Sequence, residues 1–63
     1  MNDVPLTDDE WMSPEQLGTW LNLKREWIYD AASRGVIPHV RIGRQIRFNR
    51  REIRAWLEEQ RQA

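Results

Sequence analysis

Nine basic side chains fall within residues 23–55: Lys24, Arg25, Arg34, Arg41, Arg44, Arg47, Arg50, Arg51 and Arg54. All but one are arginine, whose planar fork of donors fits phosphate oxygens and guanine edges. Only Glu26, Asp30 and Glu52 oppose them, so this segment carries a net +6. Residues 1–22 hold Asp3, Asp8, Asp9, Glu10 and Glu15 with no base, a net of −5. Residues 56–63 add −1, and the whole chain sums to zero. Charge segregated in this way predicts one basic face that meets a polyanion. A single arginine is ordinarily a solvated surface residue. Nine basic residues in one short stretch weigh toward nucleic acid.

Other chemistries find no support. The chain has no Cys and one His, which removes disulfides, thiolate sites and a His-based zinc site. His39, beside Pro38, reads as a surface loop residue. The carboxylates of Asp8-Asp9-Glu10 and Glu58-Glu59 lie in terminal segments, and no glycine-rich phosphate loop is present. We therefore expect no enzyme activity, no metal and no cofactor. No apolar run approaches the ~20 residues of a membrane span. The acidic N-terminal segment lacks the basic-then-apolar pattern of a signal peptide. A cytoplasmic location, in a cell or a virus-infected host, is the expectation.

At 63 residues and 7.6 kDa the chain makes one small domain with a limited core, to which four Trp contribute bulk. Residues 1–10 show no periodicity and read as a flexible acidic tail, with the domain spanning 11–63. Ser13-Pro14-Glu15-Gln16 combines an N-cap, a first-position proline and a capping-box glutamine. Leu17, Trp20 and Leu21 follow at helical spacing, so a first helix is predicted over 14–21, with Asn22 as a left-handed stop. Gly18 inside it costs ~1 kcal/mol against Ala, and such a glycine is usually there because something packs closely. Leu23, Trp27, Ile28, Ala31 and Ala32 define a second helix over 24–34, capped by Gly35. Two short helices across so short a turn form a helix-turn-helix.

Beyond Pro38, Val40, Ile42, Ile46 and Phe48 alternate with polar residues, the period of a strand. Placing all four on the core side pairs 42 with 46 and 40 with 48. Gly43-Arg44-Gln45 is then a three-residue loop, and Arg41 stands opposite Arg47. Asn49 and Glu52 begin a third helix over 50–61, with Ile53, Trp56 and Leu57 toward the core. Trp20 and Trp56 are expected in the core, and Trp11 as a hydrophobic staple. The fold class is mainly α with a small β-hairpin, a winged helix-turn-helix.

In such a fold the second helix enters the major groove, and its first turn reaches base edges. Lys24, Arg25, Glu26, Trp27, Tyr29, Asp30 and Ser33 are the candidates there. Arg25 is the residue for a base or phosphate, and Tyr29 offers a hydroxyl to phosphate. Glu26 and Asp30 are expected to pair with Arg25 and Arg34 rather than to accept from cytosine. The wing and its flanks supply Arg41, Arg44, Gln45, Arg47, Arg50 and Arg51, placed for a minor groove and its phosphates. Backbone amides at the start of the third helix are a further phosphate candidate.

The run Met12-Ser13-Pro14-Glu15-Gln16-Leu17-Gly18 resembles the first helix of excisionase-type winged helix-turn-helix domains, which are related to the MerR-like fold. Leu23-Lys24-Arg25-Glu26-Trp27-Ile28-Tyr29 is similar to their turn and recognition helix, and Arg34-Gly35-Val36-Ile37-Pro38 to their connection. Val40 to Phe48 resembles the wing, and Asn49 to Leu57 the last helix. Lys24 departs from the family, which usually has a Ser or Thr cap there. Asp30 stands where a basic residue is common.

The resemblance implies a recombination directionality factor. Such a protein binds double-stranded DNA at attachment sites of a phage or mobile element and bends it. It associates cooperatively with further copies and helps a tyrosine or serine integrase excise the element. The acidic tail would touch the basic region of a neighbouring copy. A small transcriptional regulator of the same fold, or an adaptor whose arginine face binds acidic protein, are the alternatives.

Overall fold

A computed structural model describes residues 10–61 of the chain. The elements are β1 (Trp11–Met12), α1 (Pro14–Leu21), α2 (Arg25–Ser33), β2 (Val40–Ile42), β3 (Gln45–Asn49) and α3 (Arg50–Arg61). The three helices run as the sequence predicts, to within a residue of each boundary. The sheet is antiparallel and three-stranded, in the order β1-β3-β2. The third strand, β1, has too few residues to show a period, and the sequence reading misses it.

α1 starts on a complete capping box. Ser13 Oγ accepts from the Gln16 amide at 3.1 Å, and Gln16 Oε1 accepts from the Ser13 amide at 2.9 Å. The helix ends at Asn22 with φ 60°, and the Leu23 amide returns to the Gly18 carbonyl at 2.8 Å. Gly18 is indispensable to that return. A Cβ on it would stand 2.7 Å from the Leu23 carbonyl oxygen. α2 ends in the same manner, with Gly35 at φ 70° and the Val36 amide bonded to the Ala31 carbonyl at 2.9 Å.

Leu17, Ile28, Ile37, Phe48 and Ile53 are the largest fully buried side chains, with Met12, Ala31, Ala32 and Ile46 around them. Met12 precedes the N-cap and shares the core with Leu17, so Met12 rather than Trp11 holds the staple position. Trp11 is an exposed strand residue. Trp20 and Trp56 pack against the core from outside and are only partly buried, with Leu21 and Leu57. Leu23, on the apolar stripe expected for the second helix, is exposed, and so is Trp27, which the sequence places at the edge of that stripe and among the DNA-facing candidates. The buried face of α2 is Ile28, Ala31 and Ala32.

The hairpin register differs from the expectation by one residue. Val40 faces Arg47, Arg41 faces Ile46 and Ile42 faces Gln45. The connection is therefore a two-residue turn, Gly43-Arg44, with Gly43 at φ 62°. That is where a type II′ turn places its glycine, and its twist matches the flanking strands. Turn chemistry thus overrides side-chain parity, and the one-residue shift turns the side chains of β2 over relative to β3. Val40 and Ile42 become exposed while Ile46 and Phe48 stay buried. The expected facing of Arg41 and Arg47 does not occur.

Of the expected tail, residues 1–9 lie outside the described residues. Glu10 is tied down, since its carbonyl accepts from the Arg50 amide at 3.1 Å. Among the described residues no helix is long and apolar enough to cross a membrane.

Candidate nucleic-acid interface

α2 turns Ile28, Ala31 and Ala32 inward. Lys24, Arg25, Glu26, Trp27, Tyr29, Asp30 and Ser33 are all consequently exposed. The helix opens at Lys24, whose side chain makes no capping bond. Two cations therefore sit at the positive end of the helix dipole, where an anion is favoured.

The protein itself places an anion there. Glu15, in the first turn of α1, lies 3.4 Å from Arg25 through Oε2 and Nη1. The expected partner, Glu26, does not make this contact. It lies one position from Arg25 on the same helix, and neighbours in sequence do not face each other on a helix. Hydrogen bonding to its own backbone amide is the largest influence holding the Glu15 carboxyl below its ordinary value of 4.5. Partial desolvation opposes that shift, while Arg25 and the Ser13 hydroxyl add to it. The other expected pair forms, with Arg34 Nη1 3.2 Å from Asp30 Oδ2. Asp30 is thereby turned to its own helix end.

The wing arginines fall into two kinds. Arg41 and Arg44 are exposed and make no hydrogen bond or ion pair among the described residues. Arg47 is half-buried and engaged along its own strand. Its Nη1 donates to the Ile46 carbonyl and its Nη2 to Gln45 Oε1, both at 2.8 Å. Gln45 is occupied by the same contact.

Arg50 stands apart from the wing. Its guanidinium lies 5.2 Å from the Trp20 ring centroid, and Nη1 is 3.3 Å from Glu10 Oε1. The helix start at Arg50 is likewise occupied. Glu10 takes the Arg50 amide, and Asn49 Oδ1 accepts from the Glu52 amide at 3.1 Å. Two of the amides expected to meet a phosphate already have acceptors. Arg51 is exposed and has a partner of its own. His39 is half-buried, with Nδ1 2.9 Å from the Ile37 carbonyl. No cluster of metal-ligating side chains occurs among the described residues.

Sequence reasoning missed Glu15 and Glu10 as partners of basic residues. The signal for Glu15 is the pair of cations at the positive end of α2, where an anion is favoured. Nothing local points to Glu10, because its contact spans forty positions.

A family model described as a helix-turn-helix domain matches residues 11–61. No curated protein and no solved structure matches the chain.

Proposed function

Because the chain belongs to the helix-turn-helix domain family, a family of DNA-binding proteins, we propose that it is a sequence-specific architectural protein of the excisionase type. It binds attachment-site DNA of a phage or mobile element, bends it and promotes excision by an integrase. It has no catalytic activity of its own and works at the DNA in the cytoplasm. The observation that carries this reading is the set of exposed basic residues at two places. Arg25 and Lys24 open α2, while Arg41 lies on β2 and Arg44 in the wing turn.

In this reading Arg25 takes a base edge in the major groove, and Lys24 and the Tyr29 hydroxyl take phosphates. Arg44, at the turn, follows a minor groove, with Arg41 on the adjacent strand. Trp27 flanks the backbone. A single reader of this size buries modest surface, so useful specificity calls for adjacent copies or a partner protein on the DNA.

The test is a tryptophan-fluorescence titration with duplexes of ~20 bp across a range of salt; neutralising ~5 phosphates predicts a log–log slope near −4 to −5. Exposed Trp27 lies close enough to α2's first turn to report binding. Bending and excision assays on candidate attachment sites then follow. Binding without bending favours a transcriptional regulator of the same fold. No binding at low salt removes the DNA reading and leaves an adaptor for acidic protein.

A further inference from the structure

We propose that Glu15 is a specificity-determining residue, which reserves Arg25 for a guanine edge and against capture by phosphate. The proposal rests on the reading of α2 as the recognition helix. It deepens that reading by assigning a role to a residue that never needs to touch DNA itself.

Three observations meet at this point. Arg25 is the first residue of α2, where base edges are reached. Its contact with Glu15 bridges two helices, so its direction is set by how α1 and α2 pack and not by α2 alone. Packing there is close, because Gly18 lets the Leu23 carbonyl sit directly on α1. Finally, Glu15 holds only Nη1 of the guanidinium, at 3.4 Å. The other donors of the fork have no partner among the described residues.

A guanine edge presents O6 and N7, two neutral acceptors that fit two donors of the fork. A phosphate presents negative charge. Beside a fixed carboxylate the two ligands are no longer equivalent. The full charge of the phosphate is repelled by Glu15 more strongly than the partial charges of the neutral edge. The same carboxylate also limits the rotamers of Arg25, which lowers the ordering cost of a two-donor contact. Both effects act in one direction: they weaken non-specific binding relative to specific binding. Glu15 is a positioning residue, acting through Arg25.

The experiment selects preferred sites from a duplex pool with a randomised centre, then compares affinity for the enriched site with that for the unselected pool. For the wild type we expect an enriched site with a fixed guanine. For Glu15→Gln the ratio should fall about tenfold, near the low end of what one two-donor base contact discriminates. The affinity for the unselected pool should rise. In an Arg25→Met background, Glu15→Gln should lower the ratio no further. Circular dichroism establishes that each variant is folded, which the exposure of both side chains favours. The proposal is overturned if Glu15→Gln leaves the ratio unchanged or lowers both affinities in proportion. It is equally overturned if the ratio falls as far without Arg25. A wild type that enriches no site overturns the recognition reading itself, and that failure is visible before any variant is made.

Discussion

β2 and β3 belong to one hairpin and differ in almost everything that matters to stability and binding. β3 is the central strand, paired with β1 on one side and β2 on the other. It buries Ile46 and Phe48, ends in the buried Asn49 that caps α3, and leads into an Arg50 engaged by Glu10 and Trp20. β2 is an edge and buries nothing. Its Val40 and Ile42 are exposed, and Arg41 within it and Arg44 at the turn have no partner among the described residues. The comparison teaches that a basic stretch read as one surface is physically two. Arg47 and Arg50, beside the central strand, are engaged within the fold, and Arg41 and Arg44, beside β2, have no partner among the described residues.

The largest effect expected from this contrast concerns the apolar residues. Phe48 is fully buried, and Phe48→Ala should cost about 3–5 kcal/mol, enough to unfold most of a marginal small domain. Ile42 lies in the other strand, 58% exposed, and Ile42→Ala should stay within about 0.5 kcal/mol. Urea unfolding followed by circular dichroism measures both. Comparable losses would mean that β2 packs inward, as side-chain parity suggests, and the contrast between the strands would collapse.

A smaller effect separates the arginines. Arg50→Ala removes a cation over Trp20 and a partly exposed ion pair, together worth about 1 kcal/mol of stability. It should leave the salt dependence of DNA binding unchanged. Arg44→Ala should do the reverse. Stability holds, while the slope of log affinity against log salt becomes shallower by about 0.9, one phosphate contact. Equal changes in slope for the two variants would return Arg50 to the binding face and erase the distinction.

The legible and illegible parts of this molecule divide along the same line. The helices were readable because their signals are local: Ser13 with Gln16, Asn22, Gly35 and the stripe from Ile28 to Ala32 all act within a few residues. The wing was readable as a hairpin but not in register. Alternating Val40, Ile42, Ile46 and Phe48 argued for one parity, and Gly43 imposed the other. An edge strand tolerates the loss of that burial, so pattern alone misleads there. At the candidate site, exposure of the α2 residues followed from the helical period. The fates of Arg25 and Arg50 did not, because Glu15 and Glu10 reach them through the fold and not along the chain.

The smallest predicted effect sharpens the comparison by pH. Glu15 and Arg25 join the two helices, whereas Arg44 has no carboxylate beside it among the described residues. The Glu15 carboxyl is held below its ordinary 4.5, mainly by hydrogen bonding to its own backbone amide; desolvation opposes that shift, and Arg25 adds to it. A carboxyl whose folded value is depressed stabilises the fold above its unfolded value. That contribution is lost as pH falls through the folded one. The urea midpoint of the wild type should therefore exceed that of Glu15→Gln by a constant margin near neutrality, and the margin should shrink below about pH 4.5. Arg44→Ala should differ from the wild type by an amount that does not change over the same range. The pair is exposed on both sides, so the margin is small and salt should reduce it further. A margin that widens on acidification would have the wrong sign for a depressed carboxyl. It would mean that Glu15 gains its folded-state interaction when protonated, and that its charged contact with Arg25 does not stabilise α1 against α2.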